Sequence, residues 1–258
     1  MAEMTLTSTD GTKLAVRCTG HGSPIVLVHG AVGDVDTFAL IEGLLAERHS
    51  VCLREGVPTG ELALWADTNL ADDGHHPRVE PNRLLAEGDV IESVAGPWEV
   101  VPTPGHSPTQ IALFNERLRW LISADLAYGR GTPFLEFGHS PDPLAEHLAS
   151  LERVERLRPE LLLPGHGRPA KGPLSVFARA SNATLAACAR VRGALSGEPR
   201  SAFEIAQARL GDERNTNRRQ EGLALTATVL AHFERRGDVL AETGDDGVRR
   251  VRLPSGRG

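Results

Sequence analysis

The sequence predicts an α/β protein, because short apolar runs typical of strands alternate along the chain with longer stretches of helical periodicity. A second observation is that three of the predicted strands end at, or a few residues before, a His or Asp residue, at His106, Asp125 and His166. The third is size, since 258 residues can bury a substantial core and suit one large domain with an appendage or two small domains.

The N-terminal part predicts a strand hairpin and then a strand-turn-helix unit. Residues 4–17 alternate in polarity around Asp10-Gly11, a pair that favours a tight hairpin turn. The apolar run PIVLV, residues 24–28, is typical of a buried strand, and it stops at His29 before a helical pattern begins.

The central part predicts the strands that carry the candidate site residues. A short strand is expected from His49 to Leu53, and the loop-rich composition that follows places a domain junction near residues 50–55. Beyond it the pattern predicts two strands before His106, a hairpin turning at Asn115-Glu116, a helix over residues 142–158 capped by Ser140 and Pro141, and a strand over residues 160–164.

The C-terminal part predicts a separate helical module. A long helix fits residues 173–196, two more fit residues 202–210 and 218–236, and two strand-like runs flank the turn GDDG. Helices followed by a hairpin suggest a winged-helix-like module. The predicted division is therefore 1–52, 53–172 and 173–258.

Composition narrows the classes of partner. With Lys+Arg 28 against Asp+Glu 34, the net charge of -6 does not favour nucleic acid, so a small-molecule substrate is expected. Cys18, Cys52 and Cys188 are widely spaced and indicate neither a disulfide framework nor a thiolate zinc site. The absence of an apolar leader or an 18-residue apolar run predicts a cytoplasmic protein that does not enter the membrane.

The motifs at the three strand ends resemble the later metal-binding motifs of the metallo-β-lactamase superfamily. They are TPGHSP around His106, ISAD ending at Asp125 and PGHG around His166. Imidazole and carboxylate are the usual non-thiolate ligands of zinc. The resemblance implies part of a metallo-β-lactamase-like αββα sandwich in which these three residues are metal ligands. It also implies that Asp125 is a bridging or shared ligand and the catalytic residue. The implied cofactor is one or two zinc ions, with iron or manganese as alternatives.

An earlier motif of that superfamily, H-x-H-x-D-H, is missing. At its expected place the chain reads VHGAVGD, so His29 matches the first position while Ala31, Gly33 and Asp34 occupy the other three. His29 is therefore a fourth candidate ligand. Since a catalytic zinc normally has three protein ligands and a water, losing most of this motif predicts weakened metal binding and activity.

Residues 1–50 resemble instead the start of an α/β-hydrolase, in which a His-Gly turn such as His29-Gly30 helps to form the oxyanion hole. No G-x-S-x-G nucleophile motif occurs in the chain, so a serine-type hydrolase would lack its nucleophile. The two resemblances cover different parts of the chain, which predicts a chimera.

Three functions stay open at this point. The first is a metal-dependent hydrolase of a small ester, thioester or lactone, impaired by the missing motif. The second is a catalytically inactive binding protein that retains the fold, and the third is a serine-type α/β-hydrolase remnant. Tyr128 and residues 131–137 are candidates for a substrate-facing loop, while structural packing of Phe134 and Phe137 is the alternative. The paired residues His75 and His76 are expected in a solvated loop.

Overall fold

The chain forms two compact units, residues 1–74 and 75–258. The sequence-based division at residues 52 and 172 remains a prediction, and both of its boundaries fall inside these units. The computed structural model describes the following residues: 2–7, 13–18, 51–62, 83–128, 134–135, 137–138 and 140–254.

The first unit contains the predicted N-terminal hairpin. Strands β1 (Ala2–Thr7) and β2 (Lys13–Cys18) pair antiparallel, which confirms both strands. The predicted turn at Asp10-Gly11, the strand over residues 24–28 and the His29 turn lie outside the described residues.

The strand predicted from His49 to Leu53 is wrong. Residues 51–54 are helical, and the backbone N–H of Glu55 donates to the carbonyl of Val51 at 3.1 Å, the spacing of one helical turn. An apolar run this short satisfies helical and extended patterns equally, so periodicity could not decide between them.

The second unit is built on one mixed sheet in which the strands follow chain order. All neighbouring pairs are antiparallel except one parallel pair, which is formed by the strands over residues 120–124 and 161–164. The strands are β3 (Val90–Ile91), β4 (Trp98–Pro102), β5 (Ile111–Asn115), β6 (Trp120–Ala124), β7 (Leu161–Pro164) and β8 (Ala170–Lys171).

Three of these strands point the same way. Strands β4 and β6 are both antiparallel to β5, and β7 is parallel to β6. Their C-terminal ends therefore lie at one edge of the sheet, and the chain leaves those ends at His106, Asp125 and His166. The three predicted strands are confirmed, and the strand directions bring their site residues to one edge.

Two helices cover one face of the sheet. Helix α1 (Pro143–Arg156) crosses from β6 to its parallel neighbour β7, a connection that parallel strands require, and α2 (Leu174–Gly193) follows β8. The apolar core between helices and sheet consists of Val101, Ala112, Phe114, Leu121, Leu126, Ala127, Leu151, Val154, Leu162, Val176, Phe177 and Ala180. Burial of this face is the main stabilising contribution.

The N-terminal cap of α1 differs from the predicted one. Asp142 is the cap, and its carboxylate accepts a hydrogen bond from the backbone N–H of Ala145 at 3.0 Å. Pro143 occupies the first turn, where the missing N–H costs nothing. Ser140 and Pro141 precede the helix, because the second Pro of the SPDP sequence fits the first turn and leaves Asp142 at the capping position.

The C-terminal elements agree with the predicted helices and hairpin. They are β9 (Arg200–Ser201), α3 (Ala202–Leu210), α4 (Thr216–Arg235), β10 (Leu240–Thr243) and β11 (Arg249–Arg252). The strands form a three-stranded sheet in the order β10-β11-β9. Ser201 and Glu204 form a reciprocal capping box at the start of α3. The fold is thus α/β with a helical C-terminal part, and its winged-helix character stays a prediction.

Among the described residues, no helix has both the length and the apolar content needed to cross a membrane.

Candidate metal centre

The strand end before His106 is shaped by a glycine. Gly105 has φ +132, and a Cβ atom at this position would lie 2.6 Å from the Cβ and 2.7 Å from the Cα of His147 on α1. No side chain fits between the two backbones, so only glycine allows the loop to lie this close to the helix. The carbonyl of Pro104 accepts a hydrogen bond from the Ser150 hydroxyl at 2.8 Å, which ties the same loop to α1.

A hydrogen bond determines which nitrogen of His106 faces the centre. The Nδ1 atom lies 2.8 Å from the carbonyl oxygen of Phe134. A carbonyl only accepts, so Nδ1 carries the proton and the neutral ring presents the lone pair of Nε2. That Nε2 atom lies 3.6 Å from Oδ2 of Asp125.

Backbone irregularity positions Asp125. The pairing of β6 with β7 shifts register between Ile122 and Ala124, and Ala124 has φ +46, an uncommon value for a residue with a side chain. The chain therefore turns sharply just before Asp125. On the other side Gly165 donates its N–H to the Ala124 carbonyl at 2.8 Å, and a Cβ on Gly165 would lie 2.7 Å from Oδ1 of Asp125.

His166 completes the set from the end of β7. Its Nε2 atom lies 3.4 Å from Oδ1 of Asp125, and its side chain is 73% exposed, against 29% for Asp125. The two imidazoles thus face opposite oxygens of one carboxylate. The structure brings all three predicted residues together, with Asp125 between the two histidines.

The described residues do not form a closed three-ligand cage. Among them, no group of three or more His, Cys, Asp or Glu side chains is close enough to hold one metal ion. His106 and His166 instead form two separate pairs with Asp125. The fourth candidate, His29, and also Asp34, His75 and His76 lie outside the described residues.

Tyr128 lies at the rim of this centre. Its ring meets that of His166 edge to face, with centroids 5.7 Å apart. Burial raises the pKa of the phenol, and the negative charges of Asp125 and Glu221 raise it further, while a hydrogen bond with the backbone of Phe134 acts the other way. The ring of Phe134 packs edge to face against His106, with centroids 6.0 Å apart. Tyr128 and Phe134, predicted in a substrate-facing loop, therefore border the site.

Sequence reasoning missed His147. It is fully buried on the inner face of α1, and neither ring nitrogen has a hydrogen-bond partner among the described residues. Burial and, to a smaller extent, the nearby His106 lower the pKa of this imidazole to about 4. Its position three residues after Leu144 and four before Leu151 places it on the apolar stripe of the helix, a signal that is visible in the sequence.

Comparison with known proteins agrees with the fold. Residues 44–166 match the family model described as the metallo-beta-lactamase superfamily. The crystal structure of a beta-lactamase domain protein from Burkholderia ambifaria superposes with a TM-score of 0.70 and 29% identity, over 85% of this chain and 65% of that one. The chain therefore has the metallo-β-lactamase fold, and residues 44–166 match the model of that superfamily.

Among individual relatives, the probable metallo-hydrolase YqjP of Bacillus subtilis is 30% identical over 131 residues, which are 48% of this chain and 41% of YqjP. The acyl-coenzyme A thioesterase MBLAC2 of Gallus gallus is 36% identical over 91 residues, 35% of this chain and 33% of that protein. The matched region thus spans less than half the length of these curated relatives.

Proposed function

We propose that this protein is a metal-dependent hydrolase that acts on a small ester, thioester or lactone. The observation that carries the proposal is the pairing of two imidazole Nε2 atoms with the two oxygens of Asp125, at 3.6 Å and 3.4 Å. Two ligands that each lie about 2.1 Å from a zinc ion, at a tetrahedral angle, are roughly 3.4 Å from one another. The spacing of each pair therefore suits a His and an Asp oxygen that bind the same ion.

The donor atoms fit a metal chemically as well. The Oδ1 atom of Asp125 is buried and has no hydrogen-bond partner among the described residues. A buried carboxylate oxygen without a donor is costly unless a cation satisfies it. His106 and His166 would each hold an ion through Nε2, with Asp125 shared between them. Zinc suits these ligands best, and iron or manganese is compatible with them.

When bound, zinc supplies a water of lowered pKa and polarises the substrate carbonyl. The residues of the chain orient that chemistry. The Phe134 carbonyl holds His106 in the tautomer that leaves Nε2 free, and the bend at Ala124 directs the Asp125 carboxylate towards both histidines. The protonated Tyr128 hydroxyl would donate a hydrogen bond to the oxygen that gains charge as the carbonyl is attacked.

The substrate class follows from the border of the site and from one relative. The Phe134 side chain is 41% exposed and, with the Tyr128 ring, offers apolar contact for an acyl group. MBLAC2 is named as an acyl-coenzyme A thioesterase, which favours a thioester within the proposed class. Hydrolysis adds water across the acyl bond and releases a carboxylic acid with a thiol or an alcohol.

The test is a hydrolysis screen with short acyl thioesters, aryl esters and γ-lactones, using protein freed of metal and then titrated with zinc. We expect at least one class to be hydrolysed with zinc, not with chelator, and not by His106→Ala. His232→Gln is the matched histidine control and keeps its activity, because His232 lies on α4 and its Nδ1 bonds Asp142 outside the metal centre. Zinc-independent turnover by the wild type would contradict the proposal.

Two observations favour a second function, a fold-retaining binding protein without catalysis. The described residues contain no single-ion cluster, and the H-x-H-x-D-H motif is reduced to His29. That function predicts no zinc binding, no hydrolysis of any substrate in the screen, and a thermal midpoint that chelator does not change.

A further inference from the structure

Helix α1 supplies both a floor and a tether for the loop that carries His106. The floor is the backbone of His147, which Gly105 approaches so closely that an added Cβ would lie 2.8 Å from its nitrogen. The tether is the Ser150 hydroxyl, which donates to the Pro104 carbonyl at 2.8 Å. Ser150 is 3% exposed, so water competes little for this hydrogen bond.

The floor and the tether act on adjacent residues from one rigid element. His147 and Ser150 are three residues apart on α1 and share its inner face. The residues that they hold are Gly105 and Pro104, and His106 directly follows Gly105 along the loop. The floor limits how far the loop can approach the helix, and the tether limits how far it can move away.

We propose that Ser150 is a positioning residue for the metal centre, because it keeps the His106 loop against α1, where His106 Nε2 faces Asp125 Oδ2. This inference rests on the proposed metal site. Ser150 touches neither metal nor substrate in this account, and it acts only through Pro104 and the two residues that follow it.

Loss of the tether has a specific expected effect. Without the hydroxyl the loop can move away from α1 while the helix itself stays capped and packed. Mutation of a residue that orients a metal ligand without binding the metal typically weakens metal affinity by about 10- to 100-fold, and we expect a weakening of this size in Ser150→Ala. Ser150→Thr keeps a hydroxyl and should restore most of the affinity.

The matched control is Thr184→Val. Thr184 is a fully buried residue of α2 whose hydroxyl donates to the Ala180 carbonyl at 3.0 Å. This variant also removes one buried hydroxyl from a helix, but the Thr184 hydroxyl bonds within α2 and not to the His106 loop. If the role of Ser150 is purely structural, both variants should have a lower urea midpoint than wild type, and both should bind zinc as tightly as wild type does.

The experiment measures the zinc dissociation constant of the metal-free proteins by competition with a chromophoric chelator. Weaker binding in Ser150→Ala alone supports the proposal, and equal binding in Ser150→Ala and wild type overturns it. In a turnover assay the loss of activity in Ser150→Ala should disappear at saturating zinc. This result separates weaker zinc binding from a damaged active site.

If the wild type binds no zinc, the proposed function is refuted. The positioning role of Ser150 is then tested by a second measurement. This measurement is hydrogen exchange of the metal-free loop, where the Thr103 N–H donates to the Gln110 carbonyl at 2.8 Å. Faster exchange over residues 103–110 in Ser150→Ala than in Thr184→Val supports the tether. Equal exchange in both variants overturns it.

Discussion

The Nδ1 atom of His232 lies 2.9 Å from Oδ2 of Asp142, and this contact joins α4 of the C-terminal part to the cap of α1. Asp142 therefore has two tasks, since its Oδ1 also accepts the Ala145 N–H. Both side chains are largely buried, at 15% and 19% exposure. The contact thus joins the C-terminal helices to the N-terminal end of α1, outside the metal centre.

The two tasks of Asp142 can be separated by substitution. Asp142→Asn keeps an oxygen that can cap α1 but removes the charge, whereas Asp142→Ala removes the cap as well. We expect Asp142→Ala to lose about 1 kcal/mol more of the free energy of unfolding than Asp142→Asn, the usual contribution of such a cap. Urea unfolding at neutral pH measures both, and equal losses would show that Asp142 does not act as a cap.

The close approach of Gly105 to α1 predicts a strongly destabilising substitution. Gly105→Ala places a Cβ within 2.8 Å of the His147 backbone, so the loop or the helix must shift. Gly88→Ala is the control, because Gly88 also has positive φ, at +80, but has nothing within 4 Å of the added Cβ.

Both substitutions carry the cost of a positive φ, about 1 kcal/mol, and Gly105→Ala should cost roughly 1–3 kcal/mol more because of the overlap. Denaturant midpoints of the metal-free proteins measure the difference. Similar midpoints for the two variants would mean that the loop does not lie against α1 as the structure describes.

Burial of His147 predicts a pH dependence of stability. Its pKa is lowered from 6.5 to about 4 in the folded protein, so the unfolded chain binds the proton more tightly. The free energy of unfolding is therefore fully retained above pH 6.5 and falls as the pH drops towards 4, by on the order of 3 kcal/mol for this residue.

The measurement is the unfolding free energy of metal-free protein between pH 7 and pH 4, for wild type and His147→Leu. The variant has no imidazole to protonate, so its stability should fall less steeply across this range. Removal of a buried polar group without a partner should also leave the variant at least as stable near pH 7. Parallel pH profiles would contradict the burial of a neutral imidazole.

Tyr128 provides a test of the chemistry rather than of the fold. Tyr128→Phe keeps the ring against His166 and removes only the hydroxyl. We expect kcat to fall by about 100- to 1000-fold, the range seen when one donor to a developing oxyanion is removed, while zinc content stays the same. Steady-state kinetics with the best thioester, alongside metal analysis, would check this. An unchanged kcat would remove Tyr128 from the proposed mechanism.

Much of the second unit could be predicted because its elements are regular. The helix over residues 143–156 has a regular apolar stripe, and each of the three site residues lies at or shortly after the end of an apolar run. The cap at Asp142 was misplaced because three consecutive residues could each begin the helix. The strand from His49 failed because a short apolar run does not determine its own period.

Other features depend on contacts that no local pattern contains. The necessity of glycine at position 105 arises from the backbone of His147, far along the chain. The tautomer of His106 depends on the Phe134 carbonyl, and the direction of Asp125 depends on the register shift at Ala124. These are tertiary relationships, so they were invisible to periodicity and composition.

The most direct test of the account is the metal content of protein purified without added metal, by elemental mass spectrometry, for wild type, His166→Ala and the control His232→Gln. The account predicts zinc or iron in the wild type and the control, and a loss of most of it in His166→Ala, because His166 Nε2 faces the buried oxygen of Asp125. Absence of metal from all three proteins, even after incubation with zinc, would contradict a metal centre at these strand ends.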